Sequence, residues 1–310
     1  MLKNNLLNFF YQKIKQQLKK YQFQTFLLGI KNNNLNENQK KKIKIELGRL
    51  LEKTLEKKVD FKNPDILIEI DTENKKINLK IKSLYIFGYY EKIKAGIPQT
   101  FWHKKRYQTS VQEEIGNIIL SYTQGDSHSF HGCGREDIDV KTIGSGRPFV
   151  IEIKNPKIRN IDLKKIEDEI NKKSTYVKVH NLEFSNKEKI NEIKKATPDK
   201  TYQAKVLLEK EVDKKTLIAA CQKLTNITIN QQTPTRVLRR RANLLRKRKV
   251  YYFKLLKYHP LIPIFEIKTQ SGTYIKELVS GDNQRTRPSL SEILSQKTIV
   301  TELIVVKIDY

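Results

Sequence analysis

At 310 residues, with 38% hydrophobic and 31% charged residues, the chain is long enough to bury a sizeable core and to form two domains. Its 61 Lys and Arg against 34 Asp and Glu leave a formal charge of +27, which selects a polyanion, nucleic acid first, because each neutralised phosphate releases counterions. Two cysteines, Cys133 and Cys221, with no CxxC pair exclude a disulfide framework and a structural zinc. No segment reaches the ~18 apolar residues of a membrane span, so a soluble, unexported, cytoplasmic protein is expected.

Apolar positions Leu6, Phe9, Phe10, Ile14, Leu18 and Tyr21 recur at three-to-four spacing and predict an amphipathic helix. FQTFLLG reads as a short buried strand, and KNNNLNENQKKK as an Asn-rich loop leading into a second helix that ends near Lys57. Two alternating strands follow, ILIEI at 66–70 and INLKIKSLYIF at 77–87, joined by the turn-like DTENKK. Residues 1–82 are therefore expected to form a small α/β unit.

GIPQTFWHKKRYQT at 96–109 has no apolar period and reads as a loop; Ser110 with Glu113 then makes a capping box for the helix VQEEIGNIIL. The stretch HGCGREDIDVKTIGSGRPF at 131–149 carries Gly132, Gly134, Gly144 and Gly146, which predict a tight loop with close backbone approach. PFVIEIKNP is a strand beyond it. Next come a helix at 162–173, strands YVKVHNLEF and TYQAKVLLE, and a helix from Asp213 to Leu224. The segment 236–257 holds ten Lys or Arg and no acid, and strands KVYYFKLLKY, PIFEIKTQ and VTELIVVKID complete the chain. This order predicts an α+β fold with a mixed, largely antiparallel sheet flanked by helices.

Glu136, Asp137 and Asp139 lie within four residues, and three readings stand open for them. They could ligate magnesium, with Asp137 or Asp139 joined by the Glu-x-Lys of Glu152 and Lys154 in a nuclease. One aspartate could instead act covalently or electrostatically on a base or sugar, since an ordinary carboxylate pKa of about 3.9 keeps it charged. In the third reading the acids only cap a surface turn of a non-catalytic RNA-binding protein.

GREDIDVKTIGSGRPF, preceded by His131 and Gly132, resembles the catalytic motif of the archaeal and eukaryotic tRNA pseudouridine synthase family that modifies the T-loop. YEKIKAGIPQTFW at 90–102, KTYQAKV at 200–206, QTPTRVLRRRANLLRKRKVY at 232–251 and TQSGTYIKELVSGDNQRTRPSL at 269–290 resemble the same family, in order, across residues 60–310. The resemblance implies a pseudouridine synthase catalytic domain at 83–310 and a reduced, THUMP-like RNA-binding accessory domain at 1–82. It implies isomerisation of uridine at T-loop position 55, and also 54, by a monomer that takes the tRNA T-arm as partner and uses no cofactor.

Residue by residue, it makes Asp137 the catalyst, Tyr202 the ring that stacks on uracil and takes a proton, and Lys276 the cation paired with the aspartate. Arg135 fills the gap left by the flipped uridine or holds a phosphate, and Leu294 is the apolar floor. Arg236, Arg239, Arg240, Arg241, Arg246 and Arg248, with a second patch at Arg285 and Arg287, bind the RNA backbone. Glu136 and Asp139 are left to shape the loop through local hydrogen bonds. Relatives carry cysteine clusters near the N-terminus and after the GIPQT stretch; here Trp102, His103, Lys104, Lys105 and Arg106 occupy the second place, so no metal is expected.

Overall fold

The structure is a computed structural model and describes residues 2–32, 34–102 and 106–310. His103, Lys104 and Lys105, part of the expected 96–109 loop and of the argument against zinc, lie outside the described residues.

The first unit packs α1 (Leu2–Leu18) and α2 (Glu37–Leu55) on a four-stranded sheet of β1 (Thr25–Lys31), β2 (Lys58–Val59), β3 (Ile66–Asp71) and β4 (Lys76–Ile81), in the order β2-β1-β3-β4. Asn36 caps α2 in a reciprocal box with Gln39, satisfying donors that the first helical turn leaves free. Ile14, Leu47 and Leu51 bury against Phe26, Ile66, Ile68 and Ile70, as the alternating and three-to-four patterns require.

The strand expected at 77–87 is two strands. β4 pairs with β3, whereas β5 (Leu84–Lys92) pairs with strands of the second unit. Lys82 and Ser83 carry the chain between sheets: Lys82 N–H donates to the Asp65 carbonyl at 2.9 Å and Ser83 Oγ to Glu152 at 2.9 Å. Gln22 ties the units again, its amide donating to Lys157 O at 2.7 Å and its side chain accepting from the Arg159 amide at 2.9 Å.

The second unit continues with α3 (Val111–Thr123), β6 (Ser127–Gly132), β7 (Lys141–Lys154), α4 (Leu163–Lys173), β8 (Val177–Ser185), α5 (Lys187–Lys195), β9 (Lys200–Leu208) and α6 (Lys214–Lys223). It ends with β10 (Ile227–Gln232), a 3-10 turn at Thr235–Val237, β11 (Leu245–Lys257), β12 (Ile264–Thr269), α7 (Ile275–Ser280), β13 (Thr286–Arg287), α8 (Leu290–Ile293) and β14 (Thr298–Ile308). Its strands form one sheet in the order β13-β10-β11-β12-β9-β14-β7-β5-β8, with β6 added beside β7. Among the described residues every pairing in it is antiparallel except that of β7 with β14, so the expected mixed, largely antiparallel sheet is present.

Residues of α3 and α4 share a core with β5, β7 and β8, and residues of α6, α7 and α8 share another with β9, β11, β12 and β14. The two halves meet where Lys141 and Thr142 pair with Ile304 and Val305. Here the expected loop at 131–149 is corrected, because its glycine-rich second half belongs to β7. Gly144 and Gly146 take φ of +77° and +68°, and the β5–β7 register jumps from Lys92↔Thr142 to Tyr90↔Arg147. Residues 143–146 are the extra chain of that bulge, which bends the strand and turns Arg147 inward. Among the described residues no helix is long and apolar enough to cross a membrane.

Candidate active site

The turn that follows β6 is pulled into the sheet by a buried carboxylate. Glu136 lies 2.9 Å from Arg147 Nε and 3.7 Å from Lys92 Nζ, all three side chains having 1% exposure or less. Tyr90 Oη donates to the Glu136 carboxylate at 3.0 Å, and Gln99 Nε2 donates to both Tyr90 Oη at 2.8 Å and Gly134 O at 3.0 Å. Lys92 also donates to the carbonyls of Asp137 and Ile138 at 3.0 and 3.3 Å. Burial, with the nearby Arg147 charge, pulls the Lys92 ammonium below its ordinary range, partly offset by Glu136. With its two neighbouring peptides anchored from below, Asp137 is left facing outward, its side chain 44% exposed.

Asp137 opens onto a cleft of about 330 Å³ between this turn, the start of β9, the far part of β14, the turn before α7 and the 3-10 turn. Its ion partner corrects the sequence expectation. Arg236 Nη1 stands 2.9 Å from Asp137 Oδ2, while Lys276 Nζ pairs with Asp139 Oδ2 at 2.6 Å. Glu277 is the reason: it is buried, and its carboxylate takes Arg236 Nε at 2.7 Å. Consecutive helical residues point ~100° apart, so α7 sends Glu277 inward to Arg236 and Lys276 toward the rim. Asp139 is thus not a local loop shaper but one end of a bond spanning 137 residues. Burial alone would raise its pKa; the hydrogen bond and charge of Lys276 outweigh that and hold it below the ordinary carboxylate range.

β9 supplies the opposite wall. Lys200 and Tyr202 lie two residues apart, on one face of the strand, and both line the cleft. Burial raises the Tyr202 phenol to about 12 against the opposing pull of Arg147. Lys200 Nζ donates to Pro198 O at 2.9 Å and to Ser271 Oγ at 3.1 Å, and burial, then Arg147, lowers it to about 8. Val140, Leu303 and Val305 give the cleft its apolar surface. Leu294, expected as the floor, instead packs behind the cleft against the β9–β14 core, because the chain after α8 turns away to begin β14.

Of the expected RNA-binding arginines, Arg236 and Arg241 line the cleft and Arg135 stands exposed at its edge. Arg239 and Arg240 are exposed, Arg240 lying 5.9 Å from the centre of the Trp102 ring. Arg246 donates to Thr233 Oγ1 at 2.9 Å, and Arg248 lies against Gly272, whose φ of +78° and missing Cβ leave room for the guanidinium. The second patch is committed to protein partners: Arg285 donates to Thr233 O at 2.7 Å and Arg287 to Glu292 at 2.6 Å. Glu152 and Lys154 do not line the cleft. The Glu152 carboxylate is held by Ser83 and faces His131 at 3.6 Å, so the nuclease arrangement is not assembled.

Arg147, Lys200 and Glu277 were missed in the sequence. Each sits inside a motif quoted above, but its role depends on burial, which a chain this rich in charge conceals.

The family described as "Pus10, C-terminal" matches residues 85–309. A curated relative from Methanocaldococcus jannaschii, tRNA pseudouridine synthase Pus10, is 43% identical over 94% of this chain and 70% of its own length. The proteins of that name from Thermoplasma acidophilum and Archaeoglobus fulgidus are 35% and 34% identical. These alignments cover 93% and 96% of this chain and 78% and 91% of theirs. With the matched region holding the whole cleft and identity extending into the first unit, the chain belongs to the Pus10 family of tRNA pseudouridine synthases.

Proposed function

We propose that this enzyme isomerises uridine to pseudouridine in the T-loop of tRNA, at position 55 and also at position 54, as a monomer in the cytoplasm that grips the T-arm. The uridine leaves its stack, at a cost of a few kcal/mol that is lowest in a loop, and enters the cleft between Asp137 and Tyr202. Tyr202 offers its ring to the uracil face, a contact worth ~1–3 kcal/mol. Asp137, oriented by Arg236, meets the nucleotide as its C1′–N1 bond breaks and C1′ rejoins the base at C5. Arg135, Arg239, Arg240 and Arg241 surround the cleft mouth as phosphate contacts, and the unit at 1–82 serves as an accessory RNA-binding domain.

The observation that carries this reading is the convergence in one cleft of Asp137, Tyr202 and Lys276, drawn from three motifs far apart in sequence. Its test is to incubate T-arm RNA with wild-type protein and with Asp137→Ala in a chelator and to map pseudouridine chemically. Wild-type protein should form product unaffected by the chelator and the variant none; equal product from the two would overturn it.

A further inference from the structure

We propose that Lys200 is a catalytic residue of this reaction: its neutral amine takes the C5 proton once the base has been rejoined to the sugar through carbon. The inference rests on the uridine-isomerising reading above. Rejoining through C5 leaves that carbon bonded to both C1′ and hydrogen, so a base must stand at the cleft wall beside the ring that carries the uracil. Lys200 stands there, one residue pair along β9 from Tyr202 and about 7 Å away by strand rise.

The hydrogen bonding of Lys200 suits a base. A neutral amine has two N–H donors and one lone pair, and the structure supplies two acceptors, Pro198 O at 2.9 Å and Ser271 Oγ at 3.1 Å. Both acceptors satisfied, the lone pair of this cleft-lining group remains for substrate. The ionisable groups that act on it are Arg147 from β7, the Cys133 thiol from the turn after β6, and Asp199 beside it in sequence. Cys133 is itself pushed up by burial and stays uncharged at neutral pH.

The alternative base is Tyr202, and magnitudes separate the two. With Lys200 lowered to about 8 and Tyr202 raised to about 12, the amine sheds its proton near neutral pH far more readily than the phenol does. A general base works best when its pKa lies near the operating pH. The electrons balance without a co-reactant. The C5–H pair returns to the ring to restore C5=C6, and the proton goes to Lys200 Nζ and on to water. N1, which kept the pair of the broken glycosidic bond, takes a proton from water.

The test is single-turnover pseudouridine formation on T-arm RNA carrying ordinary or 5-deuterated uridine, with wild-type protein, Lys200→Arg and Lys200→Gln. Arginine keeps the charge and cannot act as a base, while glutamine is a shorter, uncharged replacement that serves if the arginine variant does not fold. The folded variant should be slowed ~10²–10⁴-fold, with a several-fold deuterium effect because C5–H cleavage has become the slow step. A rate within threefold of wild type, or a slower rate without a deuterium effect, would overturn the assignment to Lys200. Wild-type protein that forms no pseudouridine at all would instead overturn the reading of the reaction.

Discussion

Glu136 separates structural from chemical acids in the opening motif. Among the described residues its carboxylate is the only negative group paired with the buried Arg147 and Lys92 side chains. Removing one partner of such a group strands the others, at a cost of about 3–5 kcal/mol. Glu136→Gln keeps the size and the acceptor for Tyr90 but leaves two buried cations uncompensated. We expect stability to fall by that amount, read as a lower urea midpoint at an unchanged denaturant slope; an unchanged midpoint would show that the Glu136 charge does not hold this cluster together. That Asp137 and Tyr202 come together in one cleft was legible through the family resemblance of the two motifs that hold them. The partner of Asp137 was not, because the pairing depends on which way two consecutive side chains leave α7. The family resemblance of the GTYIKE stretch made Lys276 the expected partner, and only burial distinguishes Glu277, which holds Arg236 against the aspartate.

At the scale of elements, long strands and helices with clear periods were legible, including α3 with its Ser110 cap and the three strands that close the chain. β2, α5, β6, β10, α7, β13 and α8 went unread, being two to nine residues long and too short for a period to show. The glycines at 144 and 146 mark a bulge rather than a loop, for positive φ is needed in either setting. Gly144 sits where β7 turns against β14: a Cβ there would stand 2.3 Å from the Val306 carbonyl oxygen, at a φ of +77°. Backbone cannot yield as a flexible side chain can, so Gly144→Ala should cost about 2–4 kcal/mol, read as a lower unfolding midpoint. Because the same bulge turns Arg147 toward Glu136, the variant should also lose turnover at temperatures where it stays folded. Wild-type stability would mean that the β7–β14 junction shifts freely.

For the whole molecule, the excess of 27 positive charges is spread over both units, and its densest run sends Arg236 and Arg241 to the cleft. Arg239 and Arg240 are exposed and Arg241 lines the wall, whereas Arg285 and Arg287 are occupied by Thr233, Asn243 and Glu292. The apparent basic patches of the sequence therefore divide into solvent-facing arginines beside the cleft, proposed above as phosphate contacts, and bracing ones. Counterion release gives this division a measurable form, because each phosphate contact adds about 0.7–0.9 to the slope of log affinity against log salt. Replacing Arg239, Arg240 and Arg241 by Gln should weaken tRNA binding and flatten that slope by about 2–3. Replacing Arg287 alone should leave the slope nearly unaltered, since its guanidinium is already paired. If the triple variant kept the wild-type slope, the RNA backbone would have to follow another face, and the lysines of the first unit would become its track.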